Sequence, residues 1–403
     1  MATCATSPAS ANTSQRYDAA STGTTPITFD LPEPGGARSI GTTELHLVDR
    51  GRPDPWVPDS PRELMISVWY PTAEEVSKRG SRSLQFAPYL RPNAAAHIDK
   101  AGSFGTKPGE VDWRAISTHA VEGAPVRSGR RLPVVLYSPG LGVPRALGSV
   151  LVEELASRGY VVVTMDHTYE TAPVEFPGGR VEGMKLPASS TEVRKKVMRT
   201  RVEDTRFVLD QLAALRQGHN PDAGQRELPA DLGTILDLTK IGMFGHSAGG
   251  IQSAMTMRED RRIDAGIDMD GTMQYATDDL MPVALEGLKR PFMLMGANTQ
   301  THVTTPSWKS FWEKSTGWKR DLNVPKGRHY TFTDVQAFLP SLDDELDISP
   351  QFRTANIGTV DPKRIISSQR AYVPAFFDRH LRDLPKPILN GPSRRHPDVK
   401  FIR

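Results

Sequence analysis

Gly245-His-Ser-Ala-Gly249 is the segment with the clearest chemical potential, a serine with glycine two residues away on either side. It directly follows the apolar run Ile241-Gly-Met-Phe244 and directly precedes Gly250-Ile-Gln-Ser-Ala-Met-Thr-Met257. That pattern predicts a buried strand, a tight turn and then a helix. The glycines have a mechanical purpose there, because side chains at 245 and 249 would collide with neighbouring backbone. Ser247 would be held in a strained conformation, its hydroxyl lifted above the sheet and a helix N-terminus beneath it favouring negative charge. These are the requirements of a nucleophile. A serine hydroxyl alone is a poor one near neutral pH and needs a base.

Where a strand–serine–helix turn carries the nucleophile, the acid and then the histidine follow it along the chain. Four histidines follow Ser247: His302, His329, His380 and His396. His329 lies in the polar, glycine-bearing loop Pro325-Lys-Gly-Arg-His-Tyr-Thr-Phe-Thr-Asp334, from which an imidazole could reach back over a sheet. His302, in Asn298-Thr-Gln-Thr-His302, follows a predicted strand and is the rival. His380 falls in the amphipathic Ala375-Phe-Phe-Asp-Arg-His-Leu381 and His396 in a basic tail. For the acid, Asp270 sits at a strand tip just before Gly271 and would fix the histidine tautomer. Asp268 shares its parity one rung deeper, where an unpaired carboxylate is costly, and reads as a buried, hydrogen-bonded group. Asp166, at the end of an earlier strand, is a weaker alternative. An oxyanion hole needs two backbone N–H groups. Ala248, after the nucleophile, is one candidate, and Leu141, in Ser138-Pro-Gly-Leu-Gly142, is the other. His246 and His167 read as structural or wall residues, and Trp308, Trp312 and Trp318 as core or lid.

The elements that must position these residues are strands and helices in alternation. Thr43–Val48 and Glu63–Tyr70 predict early strands, and Leu132–Tyr137, Tyr160–Met165, Ile241–Phe244, Ala265–Met269 and Pro291–Met295 predict later, buried ones. Helices are predicted over Leu147–Arg158 and Val193–Leu215, the second with apolar residues at 198, 202, 209 and 212. Strand and helix in turn give an α/β fold, a mostly parallel central sheet with helices on both faces. The chemistry then belongs beyond the carboxyl ends of the strands. The 403 residues are 38% hydrophobic and 24% charged, an ordinary globular mixture. A net charge of +3 with no Lys/Arg run gives no reason to expect nucleic acid as a partner. Cys4 is the sole cysteine, so no intramolecular disulfide and no cysteine-rich metal site can form. No phosphate-cradling loop, dinucleotide fingerprint or metal-ligand spacing is present, so no cofactor and no metal are expected. No apolar run approaches the roughly 18 residues of a membrane helix.

Residues 1–25, rich in Ala, Ser and Thr, read as a flexible lead-in, the stub of a removed signal segment on an extracellular protein. The ragged end of a cytoplasmic protein is the alternative. Residues 26–403 read as one domain with insertions near 92–130 and 217–237. The stretch from Arg91 to Arg131 reads as irregular with one short helix.

With those residues in place, the chain resembles the platelet-activating-factor acetylhydrolase family, the secreted-type group VII phospholipase A2 enzymes, and their bacterial and fungal relatives. The likeness runs through Ser67-Val-Trp-Tyr-Pro71, Leu132 to Arg145, Arg206-Phe-Val-Leu-Asp210, Lys240 to Gly250, Asp268 to Gly271, His329 to Asp334 and Phe376 to Leu381. It implies the α/β-hydrolase fold, Ser247, Asp270 and His329 as the triad, and Leu141 and Ala248 as oxyanion donors. Spacing and resemblance together favour His329 over His302. The chain departs from the family at Pro139, where a histidine is common, and at Ala248, often aromatic. Both departures bear on the substrate. The expected activity is hydrolysis of short-chain or phospholipid-like esters through an acyl-enzyme, with a small-molecule or lipid ester as the partner. Acyl transfer, or polyester or lactone cleavage, by the same triad is the alternative. A catalytically silent binding protein on the same scaffold is the remote one.

Overall fold

Buried apolar runs without helical spacing form the middle of one eleven-stranded sheet. In the computed structural model, which describes residues 25–73 and 85–403, the strands are β1 (Ile40–Pro53), β2 (Pro61–Pro71), β3 (Phe86–Pro88), β4 (Ser117–Glu122), β5 (Leu132–Ser138) and β6 (Val161–His167). They continue with β7 (Leu236–His246), β8 (Ile263–Met269), β9 (Phe292–Ala297), β10 (Lys319–Val324) and β11 (Lys400–Phe401). The lead-in through residue 24, Cys4 included, lies outside the described residues. Across the sheet the order is β11-β10-β9-β8-β7-β5-β6-β2-β1-β4-β3. The six neighbours from β10 to β6 run parallel, while β2 is antiparallel to both β6 and β1. The expected α/β-hydrolase architecture is present.

Alternation along β5 shows how the sheet is covered. Val134 and Leu136 join one apolar cluster with helices α3 (Thr191–Arg216) and α4 (Ala248–Glu259). Val135 and Tyr137 join the opposite one with α2 (Ser149–Ser157) and the long helix Pro362–Leu381. Both faces are therefore dry, as continuous Val/Leu/Ile runs require. From β5 the chain passes through α2 to β6 on one side, then returns through α3 to β7 on the other side of β5. The connections leaving β5 and β7 thus diverge. A crevice opens between their carboxyl ends, the usual ligand position of such a sheet.

The 91–131 stretch is more regular than its sequence indicates. Beyond the helix α1 (Pro92–Ala101) it supplies β4, which runs parallel to β1 and antiparallel to β3 at the sheet edge. Trp308 and Trp312 lie on the helix Pro306–Lys314, with Trp308 fully buried, while Trp318 precedes β10 outside any helix.

Asp334, just past the His329 loop, is enclosed and accepts from the Val150 N–H (3.1 Å) and the Tyr89 hydroxyl (3.2 Å). Burial pushes its carboxyl up to about 7. The folded state therefore keeps a proton that an unfolded aspartate releases near pH 4. The stability this group contributes is full below about pH 4 and lost as pH rises through about 7. Asp334→Asn is expected to gain in thermal midpoint relative to wild type between about pH 5 and about pH 8. A constant difference between the two proteins over that range would contradict the assignment.

Candidate active site

Ser247 is the residue on which the β7–α4 turn pivots, with φ 55° and ψ −121°, a conformation forced on a residue that has a Cβ. Its N–H donates to the Met269 carbonyl at the end of β8 (2.8 Å), and its own carbonyl accepts from Gly250 and Ile251 in the first turn of α4. The flanking glycines are obligatory. A Cβ at Gly249 would lie 2.0 Å from the Ser138 carbonyl oxygen, and one at Gly245 would lie 2.4 Å from the Gly249 carbonyl carbon.

Asp270 follows β8 directly, at φ 63°. One carboxylate oxygen accepts from the Ala297 N–H (2.7 Å), which anchors it to the end of β9, and the other faces His329 Nδ1 at 2.7 Å. Asp270 is 8% exposed and His329 45%, so a shielded carboxylate orients an accessible imidazole. Nδ1 is thereby the protonated nitrogen, and Nε2 is left with its lone pair. His246 lies beneath, its ring centroid 4.4 Å from that of His329, and its Nε2–H donates to the His329 carbonyl (2.9 Å). Burial holds the His246 imidazole well below the usual histidine range, so it stays neutral there. Among the described residues the Ser247 hydroxyl has no hydrogen-bond partner, His329 included. In hydrolases this bond commonly tightens only around a reacting substrate.

The loop after β5 crosses directly over the serine. A Cβ at Gly140 would come within 3.4 Å of Ser247 Cβ and 3.2 Å of His246 Nδ1. Among the described residues, the N–H groups of Leu141 and of Ala248, the first residue of α4, have no hydrogen-bond partner. They are two orphan donors at the crevice.

The remaining sequence candidates are committed elsewhere. His302 Nδ1 pairs with Asp321 (2.7 Å), and its ring stacks on Trp312 at 4.0 Å. His380 packs against Trp318 and Phe376, and His396 bonds Ser368. Asp268 is enclosed, accepts from the Gly271 N–H (2.9 Å), and is pushed well above the usual carboxylate range by burial. Asp166 is taken by Arg145.

Sequence reasoning missed the buried polar array under the Ser138–Gly142 loop. Arg201 donates to the Pro139 carbonyl (2.7 Å) and the Gly140 carbonyl (3.3 Å), and its Nε pairs with Glu170 (2.9 Å). The signal was present: Arg201 falls between Met198 and Val202 on the apolar stripe of α3, where a charge must find a partner.

Residues 110–382 match the family described as platelet-activating factor acetylhydrolase, isoform II. A probable 1-alkyl-2-acetylglycerophosphocholine esterase of Arthroderma benhamiae is 30% identical over 395 residues, which cover 94% of this chain and 95% of the relative. The chain belongs to the platelet-activating factor acetylhydrolase family. The platelet-activating factor acetylhydrolase of Cavia porcellus is 27% identical over 58% of this chain and 56% of its own length. A solved structure of a ferulic acid esterase from Streptomyces cinnamoneus superposes with a TM-score of 0.75 at 39% identity, covering 93% of this chain and 99% of that one. This acetylhydrolase-family member is accordingly a serine carboxylic-ester hydrolase. Among the described residues, no helix is long and apolar enough to cross a membrane.

Gly249→Ala is expected to lower stability by about 3 kcal/mol, because the added methyl meets rigid backbone rather than a yielding side chain, and to abolish esterase activity. Denaturant unfolding of the variant checks this. A stable, active Gly249→Ala protein would contradict the close approach of the two strand ends.

Proposed function

We propose that the chain hydrolyses carboxylic esters through a Ser247–His329–Asp270 triad, with the N–H groups of Leu141 and Ala248 as the oxyanion hole. The single observation that carries this reading is the 2.7 Å pair between His329 Nδ1 and Asp270, built over the turn that presents Ser247. Ser247 Oγ attacks the ester carbonyl carbon while His329 Nε2 takes its proton. The two N–H groups hold the oxyanion as it forms. The tetrahedral species collapses, the proton passes to the departing alcohol, and an acyl-enzyme remains. Water, deprotonated by His329, then releases the acid and restores Ser247. No step calls for a metal, and activity is expected to survive a chelator.

The substrate class that fits the family is an ester with a short acyl group, of the phospholipid-like acetyl type. A second reading has its own observation. Beside the site lies a cleft of about 380 Å³, lined by Phe104, Tyr330, Phe352, His97 and Gly142. Gly142 neighbours Leu141, and Tyr330 neighbours His329. Three aromatic rings there favour an aromatic acyl group, the chemistry named for the ferulic acid esterase.

Ser247→Ala is expected to lower turnover on the order of 10⁴- to 10⁶-fold and to abolish covalent labelling by a fluorophosphonate. His329→Gln should lose on the order of 10⁴-fold, whereas His302→Gln should stay within about threefold of wild type. The reverse ranking of the two histidine variants would sink the assignment. Comparing kcat/KM for a 1-alkyl-2-acetylglycerophosphocholine and for a ferulate ester of a simple alcohol separates the two substrates. A preference of about tenfold or more for the acetyl ester is expected, and the opposite preference selects the aromatic reading.

A further inference from the structure

The triad reading leaves unused a fully enclosed group of charged and polar side chains directly beneath the loop that would carry the first oxyanion donor. From its geometry we propose that Arg201 is a positioning residue that aims the Leu141 N–H into the active site. This inference rests on the reading of Leu141 as an oxyanion donor.

The connection is made through one peptide plane. In a trans peptide the carbonyl of residue 140 and the N–H of residue 141 point in opposite directions. A donor that holds the Gly140 oxygen down toward the core therefore turns the Leu141 N–H up toward the crevice. Arg201 is that donor, and it bridges two consecutive carbonyls, Pro139 (2.7 Å) and Gly140 (3.3 Å). Glycine at both 140 and 142 leaves this peptide free to rotate unless something outside the loop restrains it. The planar guanidinium, with several donors in a fixed fork, suits this task in a way an ammonium does not. Its charge also polarises the peptide it holds, which strengthens the N–H on the far side as a donor.

The rest of the array fixes Arg201 and both ends of the loop. Glu170 pairs with Arg201 Nε (2.9 Å), accepts from Trp56 (3.0 Å), and through its backbone carbonyl accepts from the Gly142 N–H (2.8 Å). At the other end the Ser138 hydroxyl donates to Gln252 Oε1 (2.6 Å) and lies 3.0 Å from His167 Nε2, whose Nδ1 is 2.8 Å from Asp204. Asp204 in turn accepts from Arg62 (2.6 Å). Ser138, His167 and Asp204 have the composition of a second triad, but all three are 0% exposed. No ester can reach them, and they serve as an anchor. Arg201 is likewise 0% exposed, an expensive place for a cation, and apart from the Nε that pairs with Glu170 its donors are spent on the loop.

The test compares Arg201→Lys and Arg201→Met with wild type and Ser247→Ala, using a short-acyl p-nitrophenyl ester and a trifluoromethyl ketone that forms a tetrahedral adduct. Arg201→Lys keeps a charge beside Glu170 but replaces two fixed nitrogens, one on each carbonyl, with a single freely rotating ammonium. Its kcat should fall about 10²-fold while KM stays within about threefold, and ketone affinity should fall in parallel with kcat. Arg201→Met should lose on the order of 10³-fold in kcat. A folded Arg201→Lys with kcat within about threefold of wild type overturns the proposal. So does a loss of kcat that leaves ketone affinity untouched. If Arg201→Met does not fold, Arg201→Lys decides by the same criteria, and failure of both to fold assigns the residue to the fold alone and also overturns it. Full activity in Ser247→Ala would sink the triad reading whatever Arg201 does. An inactive Ser247→Ala beside a fully active Arg201→Lys sinks only this inference.

Discussion

The backbone of β5 and the turn after β7 approach so closely that a methyl group at residue 249 would stand 2.0 Å from the Ser138 carbonyl oxygen. Everything proposed for the site depends on that approach. It brings the serine turn under the loop that carries Leu141, and it fixes both at the point where the chain reverses its direction across the sheet. The later groups are then supplied by successive strands. Asp270 comes from the end of β8 and is steadied by the end of β9, and His329 comes from the loop after β10. Parallel strands end on the same side, so residues remote in sequence converge without any one segment being unusually long.

Burial grades the electrostatics around this point. The imidazole of His329 is half-exposed, its carboxylate partner is shielded, and the histidine beneath it is buried and neutral. A second, deeper layer of charge lies under the Ser138–Gly142 loop, where Arg201 and Arg62 face Glu170 and Asp204. Removing either sign alone from that layer would leave an unpaired buried charge, which costs more than the pair itself contributes. The layer holds the backbone of residues 139, 140 and 142 in place.

How much of this was legible in the sequence depended on how local each feature is. The serine turn is encoded within five residues and the strand and helix beside them, so it could be read without knowledge of the rest. Asp270 was legible because a strand tip followed by glycine is also local. His329 was not distinguishable from His302 on residue pattern alone, since loops carry no periodicity. The fold gives each its own carboxylate, Asp321 for His302 and Asp270 for His329. The edge strands β3 and β4 were missed because short, half-polar segments such as Ser117-Thr-His-Ala-Val-Glu122 acquire their identity from pairing, not from composition. The array around Arg201 was missed for the same reason. Its members come from residues 56, 62, 138, 167, 170, 204 and 252, and only the folded sheet brings them together.

The most direct measurement is a crystal structure of the protein after reaction with a fluorophosphonate. The expected result is phosphorus bonded to Ser247 Oγ, with the phosphoryl oxygen about 2.7–3.1 Å from the backbone nitrogens of Leu141 and Ala248. His329 Nε2 should lie beside the bonded oxygen. An adduct on any other residue, or a phosphoryl oxygen turned away from those two nitrogens, would contradict the assignment of this site.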